Sequence, residues 1–327
     1  MKSEDNDNIR KFNITTEIIK QINPYDFTPI NIKTIRKFCY LGLLQAKYRP
    51  RCWKILLGYF SSNKFKSSLY YKKQRQAYKS YLNDIENTET SYYDVLVNDV
   101  TRTFIEPVLF YKKETCAFLD TKHKNSNLTH RSKIIRILKC FVLHNKSVGY
   151  IQGMVMLLIP IYKVFITSDD SEDTLYAEED AFYCFNYLML NLYENFLSYI
   201  DNEQNLKILM CNVWDILNKV DPVLYTCCVK KSIHESPIFL KWLFFLFSTE
   251  FKTEEVIWLW DRLLSDSNRF NILNFCIVAV FRNLRTTILN DSYEQIMYSM
   301  QNISLLDIKS IFYDGETIRL SLCTLEE

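Results

Sequence analysis

Glycine and proline are scarce in this chain, with five and seven residues in 327. A sandwich or barrel built from short strands needs turn-formers at regular intervals, so an all-β fold is disfavoured. Zinc-type spacing is absent as well: the ten cysteines contain no Cys-x-x-Cys pair, and the four histidines do not complete a finger. Reduced, mostly buried thiols are the expected state. No apolar run approaches the roughly 20 residues that span a bilayer; the longest are Met154–Tyr162, Leu243–Phe247 and Ile277–Phe281. Met1 opens onto a charged, Asn-rich segment unlike a secretory leader. A soluble, cytoplasmic protein is expected. The chain also lacks Gly-x-x-x-x-Gly-Lys-Ser/Thr, Gly-x-Ser-x-Gly, His-Glu-x-x-His and a dinucleotide fingerprint. It should therefore hold no nucleotide, metal or cofactor of its own.

Acidic residues are missing from one long stretch. Between Phe27 and Asn83 there is no Asp or Glu, while Lys33, Arg36, Lys37, Lys47, Arg49, Arg51, Lys54 and Arg75 are among its cations. The sign reverses at 169–180, where Asp170, Glu172, Asp173, Glu178 and Glu179 crowd together. A basic lobe suits an anionic membrane, a nucleic acid or an acidic protein, and equally a solvated surface with no partner. Its cations are interleaved with core-forming residues, so no nucleic acid is expected as the main partner.

What the chain does have is apolar and aromatic bulk, 48% and 15% of residues. Its periodicity is helical. Ile32–Leu44 carries an apolar stripe, Pro50 suits the first turn of a helix ending at Gly58, and Tyr70–Leu82 reads as a long polar-aromatic helix. Asp94–Phe104 and Ile134–Leu143 follow, then a buried run Met154–Ile166 interrupted by Pro160. Ala181–Leu192, Leu206–Val220, Ile238–Phe247, Val256–Leu264 and Phe270–Leu284 complete the pattern. The fold class is all-α, in two lobes. Residues 1–32 are a polar leader, 33–168 the first lobe, 169–180 an acidic hinge and 181–327 the second lobe.

Two polar features stand out. Asp99 and Arg102 are three apart on one helix, where the pair could be a weak surface bridge or a carboxylate that aims a guanidinium. Gln152 lies between Gly149 and Gly153, directly before the apolar run. Neither Arg nor Gln is a strong acid, base or nucleophile; their chemistry is to stabilise negative charge and to orient water. His144, at a helix end before this loop, reads more simply as a capping or surface residue than as a base.

With these residues in view, the chain resembles the TBC domain, the Rab GTPase-activating domain. Leu96-x-x-Asp99-x-x-Arg102-Thr103 is similar to its arginine-finger motif, and Tyr150-x-Gln152-Gly153 to its glutamine-finger motif. Arg49-x-x-x-Trp53-Lys54-x-Leu56-Leu57 and Ala177–Phe182 match in the same order. So do Lys241-Trp242-Leu243 through Ser248-x-Glu250-Phe251 and the pair Trp260-Asp261. The resemblance covers about residues 40–285 and is closest to a small subgroup with little beyond the TBC domain.

That resemblance implies a two-lobed helical array acting on a GTP-bound Rab in membrane traffic. Arg102 and Gln152 would be catalytic. Asp99 would orient Arg102, Thr103, Tyr150 and Gly153 would support the fingers, and Arg49, Trp53, Trp260 and Asp261 would be structural. GTP and Mg²⁺ would be carried by the partner, and proximity to endomembranes would come through the Rab. Three positions depart from the family pattern: Val155 in place of a common Asn, Trp258 in place of an Arg, and Lys241 in place of an Arg. They motivate the alternative of a weak or inactive TBC-fold adaptor that binds a Rab or another partner.

Overall fold

The computed structural model describes residues 29–60, 64–86, 92–103, 129–195, 203–268 and 270–323. Among them there is no strand, and sixteen α-helices follow one another with four short 3-10 turns. Residues 1–28 of the leader, and residues 104–128 of the first lobe, lie outside the described residues.

The chain divides into two compact units. The first takes the chain up to Phe38 together with Leu43–Leu188; the second takes Cys39–Gly42 and everything from Met189 on. Helices α1 (Ile32–Tyr40), α2 (Arg49–Leu56), α3 (Lys64–Glu86), α4 (Tyr92–Arg102), α5 (His130–His144), α6 (Met154–Ile166), α7 (Ser171–Leu175) and the first part of α8 (Ala177–Asn195) build the first unit. The second contains α9 (Glu203–Val220), α10 (Pro222–Lys230), α11 (Leu240–Phe244), α12 (Thr253–Leu263), α13 (Ile272–Asn283), α14 (Arg285–Asn290), α15 (Tyr293–Gln301) and α16 (Ile308–Cys323).

Two opposite charge anomalies of the sequence meet inside the first unit. Asp180, fully buried on α8, accepts hydrogen bonds from both Arg75 Nε and Nη2 at 2.8 and 2.7 Å and from the Tyr59 hydroxyl at 2.9 Å. Lys54 Nζ lies 2.6 Å from the same carboxylate and 2.7 Å from Asp173. One turn edge further, Glu178 takes a bidentate pair from Arg136 and a hydrogen bond from the Tyr78 hydroxyl. Within 169–180, Asp173, Glu178 and Asp180 are thus counter-charges to cations of the first unit, while Asp169, Asp170 and Glu172 are exposed; the contact-based division between units falls within α8. Segment composition shows charge but not where that charge is neutralised.

Two helices also differ from expectation. Pro160 does not interrupt α6, because burial on every side keeps the segment helical despite the missing N–H. The apolar run after Pro237 is not one helix: Leu246 and Phe247 have positive φ of 48° and 61°, and α11 ends at Phe244. The Trp260 indole donates to the Leu246 carbonyl at 3.0 Å, pinning that left-handed turn inside the core. In the same unit α16 lies against α13 so closely that a Cβ on Gly315 would come within 2.9 Å of the Cys276 backbone nitrogen.

Burial alone would raise the Asp180 carboxyl, but Lys54 and Arg75 outweigh it and hold it below the ordinary value of 3.8. Its stabilisation is therefore present above that value and is lost as pH falls through the depressed one. Asp180→Asn should cost about 3–5 kcal/mol, because it leaves two buried cations without their counter-charge; urea unfolding at pH 7 measures this. Glu179, next in line, is raised by burial to about 7 from 4.5. Here the sign is opposite: the folded state keeps a proton that the unfolded state releases, so stability falls as pH rises from 4.5 to about 7. Glu179→Gln should flatten the stability profile across that window.

Candidate functional site

Helix α4 buries Tyr93, Leu96 and Val100 on one side and carries Arg102 as its last residue, with the side chain exposed. Thr103 closes the helix: its amide and hydroxyl both donate to the Asp99 carbonyl, at 3.0 and 2.7 Å. Fifty residues on, the α5 C-terminus runs into the glycine-bracketed loop. His144 Nδ1 is 2.8 Å from the Cys140 carbonyl one turn back, and its ring lies on Tyr81, which accounts for it as a helix-end residue. Asn145 donates to the Phe141 carbonyl and to the Asn186 side chain on α8, at 2.9 and 3.0 Å, so the loop begins from a fixed point.

The loop itself turns on two left-handed residues, Gly149 at φ 64° and Gly153 at φ 94°. A side chain at either would be strained. Gly153 is also the residue before α6, whose first turn Met154 and Val155 anchor in the core. Between the glycines the chain is forced outward, and Gln152 is exposed.

Asp99 joins the two elements. Its carboxylate accepts the Tyr150 hydroxyl at 2.6 Å and the Gly153 amide at 2.8 Å. Burial and the neighbouring carboxylate push the Tyr150 hydroxyl well above its usual range, so it stays a donor. The spacing of Asp99 and Arg102 suggested a carboxylate aiming its own helix neighbour. Instead, among the described residues, its side-chain hydrogen bonds run across to the glutamine loop and do not include Arg102. An acid on the same helix edge as an arginine cannot by sequence be told from one that reaches another element. The half-buried Tyr150 beside two glycines, a hydroxyl in need of an acceptor, was the available signal.

The other sequence-selected residues are placed as follows. Trp53 is fully buried on α2, with Arg49 half-buried at the start of that helix. In the second unit Trp260 and Asp261 are both buried on α12. Val155 is fully buried too, where an apolar side chain needs no hydrogen-bond partner. Trp258 stacks under the Arg262 guanidinium, 3.5 Å from ring centre, and meets Phe312 edge-on. Lys241 pairs with Glu250 at 2.6 Å. The described residues contain no cluster of side chains suited to a metal ion and no helix long and apolar enough to cross a membrane.

Removal of the Asp99 carboxylate leaves the Tyr150 hydroxyl and the Gly153 amide unpaired. Asp99→Ala should therefore destabilise by about 1–3 kcal/mol, and Tyr150→Phe by about 0.5–1.5 kcal/mol; chemical denaturation of the two variants beside wild type measures both.

The chain is 30% identical over 191 residues to TBC1 domain family member 13 of mouse, covering 58% of this chain and 48% of that protein. It is 22% identical over 290 residues to the GTPase-activating protein GYP1 of Saccharomyces cerevisiae, covering 80% of this chain and 42% of that one. It thus spans about half, or less, of the length of these relatives. Among solved structures, the Ypt/Rab-GAP domain of Gyp1p superposes with a TM-score of 0.76 at 18% identity, over 97% of this chain and 99% of that one. A Chlamydomonas flagellar RabGAP TBC domain gives 0.63 at 18% identity, over 96% and 93%. The family model for the Rab-GTPase-TBC domain matches residues 46–289, well over half of the sequence, and this chain belongs to that family.

Proposed function

We propose that this chain accelerates GTP hydrolysis by a GTP-bound Rab, supplying Arg102 and Gln152 in trans. Hydrolysis on a small GTPase is slow while nothing neutralises charge on the transferring phosphoryl group or fixes the attacking water. Arg102 would supply the first and the Gln152 carboxamide, both donor and acceptor, the second. GTP and Mg²⁺ would be carried by the partner, and proximity to endomembranes would come through the Rab.

One observation carries the reading. The Asp99 carboxylate ties the loop of Gln152 to the helix of Arg102, while both functional side chains stay exposed. A structural role alone would not need an exposed Gln raised between two left-handed glycines. The family membership and the relatives named GTPase-activating proteins support the same reading. Val155, the departure nearest the site, is taken up by core packing, which gives the adaptor alternative no particular support.

Phosphate release from a panel of GTP-loaded Rabs tests it. Wild type should accelerate at least one. An arginine finger contributes about 10³–10⁵ in rate, so Arg102→Ala should lose about 4–7 kcal/mol of transition-state stabilisation. Gln152→Ala should be nearly as damaging, with both variants folded. No accelerated Rab, or an Arg102→Ala variant as active as wild type, would refute the proposal.

A further inference from the structure

Helix α4 has a second exposed feature that the catalytic reading does not use. Its buried side is Tyr93, Leu96 and Val100, yet Tyr92 and Val95 are each 51% exposed. Seven residues separate Val95 from Arg102, close to two full turns at 3.6 residues per turn. The two side chains therefore lie nearly in line along the solvent side of the helix, with Tyr92 at the other end of the same stripe.

Resting on the proposed function, we infer that Tyr92 and Val95 form a docking strip for the GTPase and set how tightly it binds. The reason is spatial. At 1.5 Å per residue, Val95 lies about 10 Å and Tyr92 about 15 Å along the helix from Arg102. A standard protein interface covers about 800 Å² on each partner, a disc of about 16 Å radius. An interface of that size centred on Arg102 covers Val95 and reaches Tyr92. An aromatic ring and a branched aliphatic side chain, each half-exposed, gain from that cover and fit a partner with apolar surface beside its nucleotide. The strip touches no reacting atom, so its contribution is to affinity, equal in ground and transition states.

The test uses the full chain with a Rab that it accelerates. Phosphate release gives kcat and KM, and binding to the same Rab loaded with a non-hydrolysable GTP analogue is measured alongside. Val95→Asp and Tyr92→Ala should weaken binding and raise KM at least about tenfold, with kcat within about twofold. Val223→Asp, an equally drastic change at a 60% exposed valine of the second unit, serves as control and should leave both unchanged. Thermal melts establish that every variant is folded. Val95→Asp with wild-type KM and affinity overturns the inference, as does a fall in kcat alone. If wild type binds a Rab without accelerating it, the proposed catalysis fails while the binding arm still decides on the strip. If it binds none, both fall.

Discussion

A carboxylate without solvent organises the first unit. Asp180 can be ionised in the interior only because Arg75, Lys54 and Tyr59 reach it together, from α3, α2 and the turn after α2. Desolvation of such a group is severe, and the pairing offsets it only while every partner is present. The same α8 that carries Asp180 carries Asn186, which receives Asn145 at the start of the glutamine loop. From there the loop turns through Gly149 and Gly153, and Asp99 fastens it to α4. Helix α8 thus links the ion cluster to the loop that carries Gln152, and Asp99 links that loop to the helix that carries Arg102.

The site follows a consistent division of labour. Groups with strong hydrogen-bonding needs, Asp99, Tyr150 and the Gly153 amide, satisfy one another. Those with chemistry to offer, Arg102 and Gln152, point to solvent. Positioning of this kind matters where catalysis is electrostatic, because a misplaced charge or dipole stabilises little. The apolar neighbours Met154 and Val155 fix the far end of the loop by burial, and the Met154 amide also donates to the Ile151 carbonyl at 3.0 Å.

Much of this was legible in the residues. Helical periodicity gave the all-α class, and the two glycines at 149 and 153 marked the turn before the apolar run. Other features were not, for identifiable reasons. Periodicity cannot tell a helix from an apolar turn held by tertiary contact, and so missed the left-handed Leu246–Phe247 pinned by Trp260. Acidic composition at 169–180 suggested a hinge, because a one-dimensional reading cannot pair Asp180 with an arginine 105 positions away. Likewise the spacing of Asp99 and Arg102 carried no sign that the Asp99 carboxylate bonds to Tyr150 and Gly153, on a loop more than fifty residues on. In each case the missing information was a long-range contact.

The central claim is that this chain brings its own glutamine to the reaction. Single-turnover hydrolysis on an accelerated Rab whose own catalytic glutamine is replaced by leucine tests it most directly. Wild type should still stimulate that Rab strongly, and Gln152→Ala should not. Loss of stimulation by wild type, or equal stimulation by Gln152→Ala, would contradict it.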